Sequence, residues 1–213
     1  MKTDLLVKLA QFLSANDSFF PRRFTEVEID LFCRYFQLVL KWNDRLHLTT
    51  ITTPHDFAKH HILESSFALQ NILPTIEKVW DLGSGAGIPG VPIAILRPDL
   101  SVSLIESNKK KAIFLKEVKF ELGIHNLQII NERFEQIQPA GHSDCIASRA
   151  LDDLSTLLPA ILKFGQNSAQ FLFFGTDNLL AAIQKQTPLH WHKSPLIIPH
   201  SHHRITISLS RST

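Results

Sequence analysis

Val79-Trp-Asp-Leu-Gly-Ser-Gly-Ala-Gly-Ile-Pro-Gly90 is the stretch that decides the fold. A short apolar run ends in the carboxylate of Asp81, and glycine then recurs at Gly83, Gly85 and Gly87. A loop without side chains at alternate positions lets backbone N–H groups approach a ligand, and the positive end of the following helix adds favourable electrostatics. About twenty residues on, Ser101-Val-Ser-Leu-Ile-Glu106 reads as a second strand ending in one acid, placed to hold ribose hydroxyls. The two segments lie in order on one βαβ unit, as a nucleoside site requires.

Outward from this unit the pattern repeats. Apolar strand-like runs occur at Val79–Leu82, Val102–Ile105, Leu127–Ile130, Cys145–Ala147 and Phe171–Phe174, separated by amphipathic segments such as Asn108–Leu122 closed by Gly123. Alternating strands and helices predict an α/β fold with a mostly parallel, Rossmann-like sheet covered on both faces. The end differs, because His190–His192 and Ile205–Leu209 are strand candidates joined by a Pro-rich loop, which predicts a terminal antiparallel pair. Residues 1–75 read as an N-terminal helical cap, with a boundary near 74–78 and the sheet domain over 76–213. Leu5, Leu6, Leu9, Phe12 and Leu13 share one helix face, and Thr25-Glu-Val-Glu28 forms a capping box with Phe24 and Ile29 at staple spacing. A third helix is expected from Thr53, with Pro54 at its first position, to just before Pro74.

At 213 residues the chain is long enough to bury a real core, and its net charge of +2 permits nucleic acid as a partner without demanding it. Cys33 and Cys145 have no ligand-like spacing, which points to free thiols in a reducing compartment. Asp4, Lys8 and Gln11 break the first segment, so no secretory signal is expected, and no apolar run approaches the ~18 residues of a membrane span. A cytoplasmic monomer is expected, without membrane or obligate protein partner. The groups His60-His61, His190-x-His192 and His200-x-His202-His203 lack matching Cys or acid ligands, so no metal is expected.

Gly85-Ala-Gly87-Ile-Pro-Gly90 satisfies G-x-G-x-x-G, the dinucleotide fingerprint. A ligand-free turn is one alternative, though three alternating glycines each carry an entropic cost of roughly 1 kcal/mol. Asp81 separates the remaining two readings. A carboxylate beside the loop would repel a pyrophosphate, whereas a ligand with a cationic centre and an amine, such as S-adenosylmethionine, tolerates and favours it.

Larger motifs narrow the field. Asp81 through Gly-Val-Pro92, then Glu106-Ser107 with Lys110 and Phe114-Leu115, Glu132-Arg133-Phe134-Glu135 and Ser148-Arg149-Ala150 occur in this order. Lys41-Trp42-Asn43 with Leu48-Thr49 and His61-Ile-Leu-Glu64-Ser65 precede them. Together they resemble the glucose-inhibited division protein B family of bacterial 16S rRNA guanine-N7 methyltransferases, over about residues 30–175. The resemblance implies a class I methyltransferase fold, S-adenosylmethionine as methyl donor, and small-subunit ribosomal RNA, naked or in the 30S particle, as substrate. It also implies that Gly83 and Ile88 line the donor site, that Phe134 and Glu135 flank the adenine, and that Arg149 closes the site. The cofactor-binding candidates are thus Asp81, Gly83, Ser84, Gly85, Gly87, Ile88, Glu106, Ser107, Phe134, Glu135 and Arg149. Three positions depart from the family's pattern: His47 stands for a frequent Asn, Glu106 for Asp, and Gly175-Thr176 for a Lys-Gly pair, so one cation is missing.

No acid–base pair is evident, and guanine N7, with an in-plane lone pair and no proton, requires none. Positioning alone can supply about 7–11 kcal/mol. Cys145 lies inside a strand run, where an inert buried thiol is expected rather than a nucleophile. Arg133 and Arg149 are the positioning candidates, as bidentate donors to a carboxylate or phosphate; an ordinary surface ion pair is the alternative. Lys109, Lys110 and Lys111 open a helix, where the macrodipole disfavours cations, which points to a phosphate partner; an ordinary solvated face is the alternative. Arg22, Arg23, Lys41 and Arg45 form a second basic group on the cap. Two rival functions stay open at this level: a donor-binding RNA-assembly factor without vigorous transfer, and a nicotinamide oxidoreductase.

Overall fold

The computed structural model describes residues 2–15, 20–137, 144–149, 154–186, 191–198 and 205–211. Ala150, His190, His200, His202 and His203 lie outside the described residues. Seven strands form one sheet in the order β3-β2-β1-β4-β5-β7-β6. The strands are β1 (Lys78–Leu82), β2 (Ser101–Ile105), β3 (Leu127–Ile130), β4 (Cys145–Arg149), β5 (Gln170–Gly175), β6 (Trp191–Ile197) and β7 (Ile205–Arg211). The first five are parallel, with Leu82 in register with Ile105 on one side and Ser148 on the other. Strand order therefore reverses between β1 and β4. At such a switch point the connecting loops diverge and leave a crevice beyond the carboxyl ends of the strands.

Helices α5 (Gly90–Leu96), α6 (Lys109–Leu122), α7 (Leu154–Phe164) and α8 (Asp177–Gln186) follow β1, β2, β4 and β5. Asn108 caps α6 by accepting from the N–H groups of Lys110 and Lys111, and Gly123, at φ 64°, closes it. That reproduces the expected boundaries. The terminal pair is antiparallel, as expected, but β6 runs on through Pro195 to Ile197 where a loop was predicted. A proline lacks the ladder donor, and β6 is the edge strand, where that lack is tolerated.

The N-terminal residues form α1 (Lys2–Ala15), α2 (Glu26–Leu46), α3 (Pro54–Phe57) and α4 (Glu64–Ala68). The Thr25–Glu28 capping box is present at the start of α2, and Thr53 caps α3. The expected single third helix is interrupted. Ala58–Leu63 winds as a π-helix between α3 and α4, a rare geometry that is frequently found at functional sites. Leu9, Phe32, Tyr35, Phe36 and Phe57 bury completely in the same core as Val79, Val102, Leu104 and Phe114, so residues of the 1–75 segment and one face of the sheet share an interior. The other face packs Ile146, Phe171 and Phe173 against Leu158, Ile161 and Ile183. Truncating one such phenylalanine to alanine removes about 3–5 kcal/mol.

Candidate functional site

The glycine loop is built by contacts from three directions. The Gly83 and Ser84 N–H groups donate to the Ile105 carbonyl at 2.9 and 3.2 Å, which ties the loop to the end of β2. From α2, the buried Tyr35 hydroxyl donates to the Ala86 carbonyl. Gly87 has φ 91°, and a β-carbon there would lie 2.7 Å from Val91 Cγ2. At Gly90 a β-carbon would lie 2.2 Å from Leu104 Cδ2 and 2.8 Å from Asp81 Oδ2. A side chain at either position would force its neighbours, Val91 at Gly87 or Leu104 and Asp81 at Gly90, to shift.

Glu106 staples this loop to α6. Its Oε2 accepts from the Gly85 N–H at 2.8 Å and its Oε1 from the Asn108 N–H at 2.7 Å. Each oxygen keeps a second lone-pair site.

Asp81 sits beneath the loop rather than on the cleft wall. It is wholly buried, and Oδ2 accepts from the Gly90 N–H at 3.1 Å at the start of α5. Oδ1 is buried without a hydrogen-bond partner among the described residues. Burial pushes its carboxyl from 3.8 up to about 7, the Gly90 and Ser84 contacts pull down, and the charge of Glu106 adds to the rise. Asp81, expected to contact the ligand directly, lies buried against the start of α5 and lines neither of the cavities described below.

A cleft of ≈ 650 Å³ opens above the loop. Gly83, Ser84, Gly85, Ile88, Glu106, Ser107 and Arg149 line it, together with His47–Ile51 and His61 from the N-terminal segment. A second cavity of ≈ 200 Å³ shares Gly83 and Ser107 with it and adds Ile105, Glu132, Arg133, Phe134, Glu135 and Leu157. The structure therefore brings together the cofactor-binding candidates except Asp81 and Gly87, which line neither cavity. Gly175 and Thr176, where the family's Lys-Gly pair is replaced, line neither as well.

Sequence reasoning missed the polar chain behind Arg149. Its side chain is only 9% exposed, with Nη1 2.8 Å from His61 Nδ1 and Nη2 3.4 Å from Glu64 Oε2. Glu64 Oε1 lies 3.5 Å from His60 Nδ1, and His61 Nε2 lies 3.3 Å from Thr49 Oγ1. A guanidinium only donates, so His61 Nδ1 accepts and the imidazole hydrogen sits on Nε2, facing Thr49. His61, in the π-helical turn, and Glu64, the first residue of α4, both face Arg149 at the end of β4. The His61-to-Glu64 spacing was legible, but its partner 88 positions away was not.

The two basic groups fare differently. Arg22 is held by Glu28 at 2.5 Å and Lys41 by Glu117 at 2.8 Å, so both charges are already balanced. Arg45 and Arg23 are exposed. Lys109 and Lys110 are exposed at the start of α6, and Lys111 reaches the cleft wall. Cys145 is fully buried and its thiol is pushed far up by burial, which fits no nucleophile. Among the described residues no group of three or more His, Cys, Asp or Glu could hold a metal ion, and no helix is long and apolar enough to cross a membrane.

A mostly parallel sheet with this strand order, a glycine loop after β1 and an acid directly after β2 defines a class I methyltransferase. In keeping with that, the fold resembles a ribosomal protein L11 methylase from Lactobacillus delbrueckii subsp. bulgaricus (TM-score 0.56, 15% identity, 72% of this chain and 79% of that one). It also resembles an rRNA methylase from Streptococcus thermophilus (TM-score 0.54, 16% identity, 71% and 96%). The family model for rRNA small subunit methyltransferase G matches residues 28–202, and the chain belongs to that family. Ribosomal RNA small subunit methyltransferase G of Chromobacterium violaceum is 43% identical over 148 residues, 70% of each chain. The protein of the same name from Nitrosomonas eutropha is 40% identical over 125 residues, 59% of this chain and 58% of that one.

Proposed function

We propose that the cleft beyond β1, β2 and β4 binds S-adenosylmethionine, and that the methyl group passes to N7 of a guanine in 16S ribosomal RNA. The observation that carries this reading is the meeting of the glycine loop, Glu106 and Arg149 in one cleft of ≈ 650 Å³. The residues suit that donor. Glu106 keeps a lone pair on each oxygen for ribose hydroxyls after both backbone contacts are made. Phe134 and Leu157 give the smaller cavity apolar walls for an adenine, with Glu135 at its edge. When ionised, Asp81, whose Oδ1 has no hydrogen-bond partner among the described residues, puts negative potential behind a cationic ligand, where a pyrophosphate would be repelled.

When bound, S-adenosylmethionine supplies a methyl group on a positively charged sulfur. The protein's share is alignment. Guanine N7 needs no base, so the residues have to hold the lone pair in line with the methyl group and exclude water. His47–Ile51 and His61 roof the cleft, which supports a division of labour between a cap, 1–75, and a transfer domain, 76–213. Arg149, held from behind by His61 and Glu64, presents a fixed cation for the donor's carboxylate. The names of the relatives support small-subunit ribosomal RNA as the acceptor.

Labelled donor incubated with undermethylated 30S particles should mark a single guanine. Labelling of protein alone, or of nothing, rejects the proposal. In a thermal-shift comparison, S-adenosylhomocysteine should raise Tm while NAD(H) leaves it unchanged.

A further inference from the structure

Helix α6 carries a ridge that its core packing does not explain. Ala112, Phe114, Leu115, Val118 and Leu122 form its buried face. On the opposite side Lys109, Ile113, Lys116 and Phe120 follow one another at i, i+4, i+7 and i+11, a narrow stripe along the helix. Ile113 is 48% exposed and Phe120 82% exposed, at the positions farthest from the core, where a solvated helix normally carries polar residues. None of Lys109, Lys116 and the flanking Lys119 has an ion-pair partner among the described residues. By contrast Lys41, on the neighbouring helix, is neutralised by Glu117. Two lysines and two apolar side chains therefore alternate, with their charges left available.

The stripe begins at the end of α6 nearest the cleft: Lys111 of the same first turn lines the cleft from the opposite side of the helix, and Phe120 stands about 14 Å further along at 1.5 Å per residue, leading away from it. Cations that track a phosphate backbone, interleaved with an aromatic on which a base stacks, are the elements of a single-strand binding path. The three lysines of the first turn point the same way, because they oppose the helix macrodipole and are best stabilised by an external anion.

We propose that this ridge of α6 is a docking path for single-stranded RNA flanking the nucleotide in the cleft, with Phe120 stacking a base and Lys109 and Lys116 meeting phosphates. The inference rests on the reading of the cleft as an RNA methyltransferase site. Its strength is the exposed alternation of lysine and apolar side chains, which starts at the end of α6 next to that cleft.

The test uses the full chain with Phe120→Ala, Phe120→Trp and Lys116→Gln. Affinity is read by fluorescence anisotropy on a mixed-sequence single-stranded RNA oligonucleotide over a salt series, binding of S-adenosylhomocysteine by calorimetry, and transfer on undermethylated 30S particles. Phe120→Ala should weaken RNA binding at least about 5-fold, with Phe120→Trp restoring it. Lys116→Gln should flatten the log–log salt slope by about 0.7. All three variants should bind S-adenosylhomocysteine as the parent does. Unchanged RNA affinity in Phe120→Ala and Lys116→Gln overturns the proposal, as does a parent chain that does not bind the oligonucleotide at low salt. Loss confined to assembled particles also overturns it, by assigning the ridge to a ribosomal protein. If the variants lose RNA affinity while the parent transfers no methyl group to any 30S guanine, the ridge stands and the transfer reading falls.

Discussion

Arg149 Nη1 lies 2.8 Å from His61 Nδ1, so the cation that ends β4 is gripped by a residue of the N-terminal helices. Glu64 grips it a second time at 3.4 Å, fully buried. The strand alone would leave the guanidinium free to swing; the π-helical turn supplies a neutral acceptor in His61, and the start of α4 supplies an anion in Glu64. The cleft's charge is thereby set by contact between the two parts of the chain.

Removing one partner of a buried charge pair leaves the other uncompensated, which typically removes about 3–5 kcal/mol. Glu64→Gln should therefore lower Tm by roughly 6–12 °C, at the lower end of that energy. A Glu64→Gln/Arg149→Gln double variant should lose less than the sum of the two single variants, since each removes the same pair. Thermal melts of the four proteins measure this. His61→Ala should raise the donor's KM about tenfold by freeing Arg149. His61→Asn, which keeps an acceptor, should recover part of it.

Asp81 carries a pH signature. Its carboxyl is raised from 3.8 to about 7 in the folded chain, mainly by burial. A raised group favours the fold fully below its unfolded value, and that contribution is lost as pH climbs through the folded value. The parent protein should therefore lose stability from this site between pH 4 and 7, while Asp81→Asn, which still accepts from Gly90, should not. The Tm difference between variant and parent should grow across that window and level off above pH 7. The same variant should weaken S-adenosylmethionine more than S-adenosylhomocysteine, since only the former carries the cationic sulfur.

Gly90→Ala tests how closely α5 is drawn onto the sheet. The added carbon would stand 2.2 Å from Leu104 Cδ2, so either that side chain or the helix has to shift. Overpacking of this kind removes about 1–3 kcal/mol. Chemical denaturation should show the loss, with weakened donor binding because Asp81 Oδ2 is displaced along with the Gly90 N–H.

Tyr35→Phe removes the hydroxyl that donates to Ala86 and leaves a buried carbonyl unmet. The expected loss is about 1–3 kcal/mol. Because Tyr35 belongs to α2 and Ala86 to the glycine loop, donor affinity should fall together with stability, which calorimetry on the purified variant would register.

Much of this was written along the chain. Strand-like runs with caps between them specify local geometry through backbone chemistry: Asn108 and Gly123 bound α6, and Thr25–Glu28 starts α2. The glycine spacing and the acid at Glu106 likewise mark the cleft, because turn conformation and strand ends depend on near neighbours. The Pro195 strand was misread since proline's missing donor matters only when a neighbour needs it, and edge position is a property of the sheet.

What the residues by themselves determined is the alternation of strand and helix, the glycine loop, and the family motifs that ride on them. What only the tertiary structure decided is which charges are balanced and where they point. Arg22 and Lys41 are neutralised by acids that packing brings close, Asp81 is drawn under its loop, and Arg149 is seated against His61 and Glu64 from 85 or more positions away. Local propensity acts over a few residues, whereas electrostatic partners are chosen by distance in space, and that distance exists only once the core has closed.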